Sequence, residues 1–204
     1  MPSPFDRIFN DIRKDVPSVV NATFAQELFR VMDDFTQTTN IWRETFPLTI
    51  VPNDRSYTVA PTDGQPNRLL LVYNVDASTL YWAASGITMR VPGVIELFRN
   101  PTTAANWAAV IAKRVSNLTP DGYPVIDDWI VDKYADTIGR GVLARIQFEP
   151  QKPYSNPMLA QTNQRAYIAG RSLARANDGA MNVYNGQAWL YPQGFSTVNR
   201  KPWA

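Results

Sequence analysis

Residues 123–176 form the stretch that most restricts how this 204-residue chain folds. Apolar side chains recur there at steps of three and four, the spacing that buries one face of a helix. The pattern predicts one helix that opens at Asp127 or Asp128 and another that opens after Ser155-Asn156-Pro157, where an N-cap residue precedes proline. The short connector between them, residues 149–157, makes the two helices antiparallel neighbours.

Each of these two helices has a predicted buried stripe. The first stripe is Trp129, Ile130, Tyr134, Ile138, Val142 and Ile146, and the second is Leu159, Ala166, Ala169, Gly170 and Leu173. Gly139 and Gly141 lie inside the first helix, where each glycine costs about 1 kcal/mol relative to alanine. We expect these glycines to allow close packing against Ala166 or Gly170 of the facing helix.

The first forty residues are also predicted to be helical. A short helix covers residues 5–14, and a longer one runs from Asn21, which can cap it, to about Arg43. The apolar stripe of the longer helix is Phe24, Leu28, Val31, Met32, Phe35 and Trp42. These helices need an apolar partner, and the pair at residues 123–176 is the obvious one.

Between the helical segments the apolar pattern changes to that of strands. Strands are predicted at residues 48–51, 56–60, 69–75, 80–83, 89–91, 94–98 and 107–115. The last of these is rich in alanine, so a helix competes with the strand there. Short strands separated by turn sequences favour a small antiparallel sandwich or barrel.

These patterns predict an α+β fold, in which an antiparallel helical bundle is built from both ends of the chain. A small antiparallel β-sandwich or barrel is inserted into it, and an extended tail follows. The predicted domains are a discontinuous helical domain at residues 1–45 plus 123–177, a β domain at residues 46–122 and a C-terminal arm at residues 178–204.

The arm has no helical or strand period, yet it carries large aromatic side chains at intervals. Disordered tails are usually poor in aromatic residues, whereas spaced rings on a flexible segment suit pockets on a partner. The candidate partner-binding residues are Tyr184, Trp189, Tyr191, Phe195, Arg200, Lys201 and Trp203. The alternative is that the tail folds back on its own domain.

The chain contains no cysteine and no histidine. Without them it has no thiolate nucleophile, no Ser-His-Asp triad and none of the usual zinc sites. With 20 basic and 18 acidic side chains, the charge balance argues against a broad nucleic-acid-binding face. We therefore expect a protein that is not an enzyme and that uses no cofactor and no metal.

The longest apolar runs hold about five residues, far below the roughly 20 that a membrane helix requires. The first residues also lack the basic and then apolar pattern of a secretion signal. We expect no membrane partner and no export.

Two charged groups remain to be interpreted. Asp127, Asp128, Asp132 and Asp136 have the oxygen ligands for a divalent ion, but acids at a helix start are more simply explained by the helix dipole. The second group, Arg140, Arg145, Arg165, Arg171 and Arg175, makes the rest of the helix pair basic. These arginines contact either DNA phosphates or a neighbouring subunit, and the low net charge favours a subunit interface.

The order of the parts resembles a known family. A helical start ends in the sequence DDFTQTTNIWRE at residues 33–44, and LTIVPNDRSY follows at residues 48–57. Late in the chain, Pro124, Asp127-Asp128-Trp129 and a helix precede QKPYSNP at residues 151–157. This arrangement, over roughly residues 25–177, is similar to the head-to-tail adaptors of tailed bacteriophages, the tail-tubular-protein-A-like connectors.

The resemblance implies a structural virion protein, assembled in the host cytoplasm into a ring that is usually twelve-fold. Such a ring joins the portal protein to the tail nozzle or tube, and genomic DNA passes through its lumen without sequence-specific binding. The family's C-terminal arm commonly reaches the portal, which would give residues 178–204 a partner. Alternatives are another tail or neck structural protein, or a tail-associated carbohydrate-binding module in which Trp82 and Trp107 stack on sugars.

Overall fold

The computed structural model describes residues 4–75, 79–82 and 86–181. Within them the chain forms four helices and seven strands. The helices are α1 (Pro4–Asp15), α2 (Asn21–Thr39), α3 (Asp128–Phe148) and α4 (Pro157–Met181). The strands are β1 (Arg43–Ile50), β2 (Ser56–Thr58), β3 (Gln65–Asn74), β4 (Thr79–Trp82), β5 (Ile87–Val91), β6 (Val94–Leu97) and β7 (Ala105–Arg114).

The strands form two small antiparallel sheets. One has four strands in the order β1-β7-β3-β4, and the other has three in the order β2-β6-β5. β7 lies between β1 and β3 and pairs with both in the antiparallel sense, so the strand predicted at residues 107–115 is confirmed over its helical alternative. Buried side chains of both sheets meet in one apolar cluster, which includes Ile50, Val72, Ile95 and Ile111.

The fold class predicted from the sequence is wrong. The described part of the chain is a mixed α+β fold of four helices and two small antiparallel sheets, not a helical bundle with a sandwich or barrel inserted into it. The physical reason is that residues next to the ends of two strands are part of the hydrophobic core of the helices. Trp42, next to β1, and Val115, after β7, are buried among helical side chains. The Val115 N–H also donates to the Thr36 hydroxyl of α2, 3.3 Å away.

The junction between α2 and β1 explains part of this error. α2 ends at Thr39 because Asn40 is in the left-handed conformation (φ 55°) and its N–H donates to the Thr36 carbonyl. Trp42 therefore lies beyond the helix to which the sequence assigned it. The ammonium of Lys113 on β7 lies 4.3 Å from the Trp42 ring centre and 2.8 Å from a Glu44 carboxylate oxygen. A buried cation, an aromatic ring and a carboxylate thus tie the start of β1 to β7.

The other helix boundaries agree closely with expectation, although not every cap does. Asn21 does not cap α2; its side chain accepts a hydrogen bond from Arg13 instead. Asn156 does cap α4, since its side-chain oxygen accepts from the Leu159 N–H at 3.1 Å. α4 continues to Met181, past the predicted end at residue 177. The predicted division of the chain into three domains stays a prediction.

The helices pack around α3, which contacts α1, α2 and α4. Close approach depends on two glycines. A methyl group added to Gly141 would lie 2.8 Å from atoms of both Tyr167 on α4 and Val31 on α2, and one added to Gly170 would lie 2.5 Å from Thr137. The predicted role of Gly141 is right in kind, but its neighbour on α4 is Tyr167.

Gly141→Ala is expected to destabilise the fold by about 1–3 kcal/mol, because the methyl group forces packed side chains on two helices apart. Gly139→Ala is the matched control on the same helix. Its methyl group would have only ordinary contact with Ile8, at 3.7 Å, so the helix preference of alanine should leave stability unchanged or raise it by up to about 1 kcal/mol. Urea unfolding at a fixed protein concentration measures both changes, and equal shifts would contradict the packing role of Gly141.

Candidate protein-binding surface

The inner face of α4 is held by small and polar side chains. Its buried residues are Ala160, Asn163, Tyr167 and Ala174. Asn163 donates to the Gln147 side chain of α3 at 2.9 Å and accepts from Arg140 at 3.2 Å. These contacts determine which side of α4 faces α3, because a buried amide needs hydrogen-bond partners.

Asp34 of α2 adds a second constraint on α4. One of its carboxylate oxygens accepts from the Tyr167 hydroxyl, 2.6 Å away, and pairs with the Arg171 guanidinium. Burial, and then the bond to the Asp34 carboxylate, raise the pKa of Tyr167 well above its usual value. Tyr167 therefore stays neutral and donates a hydrogen bond to Asp34, which fixes the rotation of α4 about its own axis.

A second carboxylate joins α2 to α3. Glu27 is buried, and it pairs with Arg30 on its own helix and with Arg145 on α3, where the N–O distance is 3.7 Å. Together with Asp34, Tyr167 and Arg171, these residues line a cleft of about 570 Å³ between α2, α3 and α4. The arginines of this cleft already pair with acids of their own chain, so we regard it as a polar junction between helices.

The outer face of α4 is apolar and uncovered in the described part of the chain. Exposed fractions are 79% for Met158, 50% for Leu159 and 61% for Leu173. We define the α4 outer stripe as six exposed residues at alternating steps of three and four: Leu159, Thr162, Ala166, Ala169, Leu173 and Ala176. It runs almost the full length of the helix.

The predicted buried stripe of α4 is therefore wrong, since Leu159, Ala166, Ala169 and Leu173 all lie in the outer stripe. α4 has two faces whose residues recur at helical spacing, and the number of apolar residues alone favours the outer face as the buried one. The hydrogen bonds of Asn163 and Tyr167 place the other face inside. The helical spacing of Ala160, Asn163, Tyr167 and Ala174 is the sequence signal that could have indicated this inner face.

The five predicted interface arginines separate into two groups. Arg140, Arg145 and Arg171 bond to partners in their own chain, namely Asn163, Glu27 and Asp34. Arg165 and Arg175 are exposed on α4 and form no ion pair with any described residue. No aspartate or glutamate occurs from Pro150 to Asn177, so the exposed side of α4 is basic as well as apolar.

The start of α3 has the opposite charge. Asp127, Asp128, Asp132 and Asp136 are all exposed, and Asp136 lies 3.7 Å from Arg140. Trp129, predicted to be buried, is 47% exposed, and its ring N–H donates to Asp127 at 3.3 Å. Val131 takes the buried position instead. Across the described residues, no group of three or more acidic side chains is placed to hold a metal ion.

The predicted partner-binding residues of the arm, from Tyr184 to Trp203, lie outside the described residues. The side chain of Trp82 also lies outside them, and Trp107 is half-buried against the apolar cluster of the two sheets. Among the described helices, none is long and apolar enough to cross a membrane.

Comparison with known proteins yields no family assignment. No protein-family model matches the sequence, and no curated protein matches it significantly.

Tyr167→Phe tests the bond that sets the rotation of α4. Losing the hydroxyl is expected to lower the free energy of unfolding by about 1–2 kcal/mol near neutral pH. The folded-state pKa of Tyr167 lies above the usual value of 10.0, so the contribution of its hydroxyl to stability is complete below pH 10 and is lost as pH rises further. The variant should therefore lose stability less steeply above pH 10 than the parent.

Urea unfolding across alkaline pH makes the measurement, and Tyr73→Phe, which removes a hydroxyl from half-buried Tyr73 on β3, is the control. An alkaline profile for Tyr167→Phe that overlays the parent profile would contradict this role of Tyr167.

Proposed function

We propose that this protein is a structural virion protein of a tailed bacteriophage: a head-to-tail adaptor whose ring joins the portal to the tail nozzle or tube and surrounds the exiting DNA. On this proposal it is not an enzyme, and it assembles in the host cytoplasm. The proposal is supported by the resemblance over residues 25–177, in particular by DDFTQTTNIWRE at residues 33–44 and QKPYSNP at residues 151–157.

The observation that carries the proposal is the α4 outer stripe. The stripe has exposed leucines near both of its ends and mainly alanines between them, and an exposed surface of this apolar composition along a helix is typical of a protein–protein contact. Burying Leu159 and Leu173 against another protein would stabilise the contact by about 25 cal/mol for each Å² of apolar surface removed from water. A chain that forms many identical contacts in a ring gains this stabilisation at every interface.

The charged side chains support the same conclusion. Arg140 and Arg171 connect α4 to α3 and α2, and Arg145 connects α3 to α2, so these arginines serve contacts within the chain. Arg165 and Arg175 remain on its exposed side, and arginine is common at protein interfaces. We therefore keep Arg165 and Arg175 as the first candidates for contact with a neighbouring subunit.

Leu173→Glu is expected to weaken self-assembly by about tenfold or more, because it places a charge in a contact that excludes water. Val20→Glu is the matched control, since Val20 is a similarly exposed apolar residue (66%) next to the start of α2. Light scattering and electron microscopy measure assembly, and circular dichroism checks the fold. Full assembly of the Leu173→Glu protein would contradict a role for the stripe.

Electron microscopy of the protein mixed with its cognate portal ring tests the function directly. We expect ring density stacked on the portal for the full chain. A chain that ends at Met181 should fold normally but attach poorly, because it lacks the aromatic residues proposed to bind the portal. Failure of the full chain to attach would overturn the proposed function, whereas equal attachment of both chains would overturn only the role of the arm.

A further inference from the structure

We infer that the α4 outer stripe is covered by the start of α3 from a second copy of this chain, so that copies associate head to tail. The contacting patch, which we call the acidic patch, consists of Asp128, Trp129 and Asp132. This inference deepens the proposed function, on which its setting in a ring rests, by naming the two surfaces that meet between subunits.

Charge is the first argument. Residues 121–136 contain five aspartates and one lysine, whereas residues 137–177 contain six basic side chains and one glutamate. Asp128 and Asp132 are exposed and form no ion pair with any described residue, and the same holds for Arg165 and Arg175 on α4. The chain thus presents an unpaired acidic surface and an unpaired basic surface on different helices.

The apolar groups match in the same way. Trp129 is large and about half exposed, and its bond to Asp127 orients the ring beside the acids. Tryptophan is one of the residue types enriched at the energetic centre of interfaces. The α4 outer stripe offers small side chains, Ala166 and Ala169, between the larger Leu159 and Leu173. A flat ring packs well on such a surface, and Arg165, which is exposed next to Ala166, can meet an aspartate beside the ring.

The shape of α3 presents the acidic patch as a separate surface. Tyr134 has non-helical backbone angles (φ −116°, ψ 19°), so α3 bends directly after the patch. The Tyr134 ring lies against Phe35 of α2, with 5.3 Å between ring centres, which holds this bend on the inner side. Asp128 and Asp132, one turn apart, lie on the exposed side.

Two-fold pairing of either surface with itself is unfavourable. It would place arginines against arginines on α4, or aspartates against aspartates on α3, and like charges that meet at an interface repel each other and suppress that pairing. Contact between two different surfaces avoids this repulsion. Such heterologous contacts build rings when the rotation closes and filaments when it does not.

The natural absence of cysteine allows a direct test by site-specific cross-linking. One chain carries Lys133→Cys beside the acidic patch, and a second chain, distinguished by a mass tag, carries Ala169→Cys in the stripe. A short bismaleimide should join the two chains when they are mixed and assembled, and should join neither chain to itself. Absence of the mixed product from assembled protein, or an efficient homodimer of either chain alone, would overturn the inference.

Charge reversal gives a second readout. Asp128→Lys with Asp132→Lys on the first chain should lower the cross-linked yield about tenfold, whereas Asp63→Lys, at an exposed acid between β2 and β3, should not. Mixing that reversed chain with an Ala169→Cys chain carrying Arg165→Glu and Arg175→Glu should restore the yield. A yield insensitive to these reversals would exclude the acidic patch as the partner, and circular dichroism confirms that every variant is folded.

The outcomes separate this inference from the proposed function. Rings that attach to the portal without the mixed cross-link would refute the contact and leave the adaptor role standing. A mixed cross-link in a protein that ignores the portal would support the contact and refute the adaptor role.

Discussion

The Asp34 carboxylate is the contact on which the arrangement of the helices most depends. It binds the Tyr167 hydroxyl and the Arg171 guanidinium, more than 130 residues away in sequence, and so ties α2 to α4. α4 has two faces at helical spacing, and its outer face is the more apolar one; the Asp34 contact and the hydrogen bonds of Asn163 together hold the other face inside. Tyr167 and Asn163 are buried, and burying their polar groups without hydrogen-bond partners is costly, so the face that carries them is held inside and leucines remain in water. The exposed stripe is a direct consequence.

A second charged side chain with partners from other elements, Lys113, joins the helices to the larger sheet. Lys113 is buried beside Trp42 and Glu44, and its own N–H donates to the Trp42 carbonyl at 2.7 Å. Gly64 approaches the Trp42 ring so closely that an added methyl group would lie 2.6 Å from it. Because Trp42 packs with the helical core while its neighbours pair within β1 and β7, the sheet and the helices share side chains.

The periodicity of apolar side chains predicts the helices and most strands correctly, because helices and strands each produce their own spacing among residues that are close in sequence. Strand β7 is an example, recognised despite its alanines. The fold class was wrong because Trp42 looked like the end of a helical stripe, and only the left-handed Asn40 reveals the break. The inner face of α4 was misassigned because Tyr167 and Asn163 gain their importance from partners on α2 and α3, which are far away in sequence. The exposure of Trp129 could not be predicted for the same reason. The spacing of apolar residues shows which of them share a helix face, whereas tertiary contacts determine which face is covered.

The division of the arginines explains how a surface of this kind can bind specifically. Arg140, Arg145 and Arg171 hold α3 and α4 in place through partners in the same chain. Association then needs little reordering of the backbone, so the conformational entropy lost on binding, beyond the overall translational and rotational freedom, comes mainly from exposed side chains such as Arg165. A helix with an apolar stripe along its outer face and exposed arginines that form no ion pair with any described residue binds well where a partner offers an apolar group flanked by acids. The acidic patch, with Trp129 between Asp128 and Asp132, has this composition, so one sequence carries both halves of the contact.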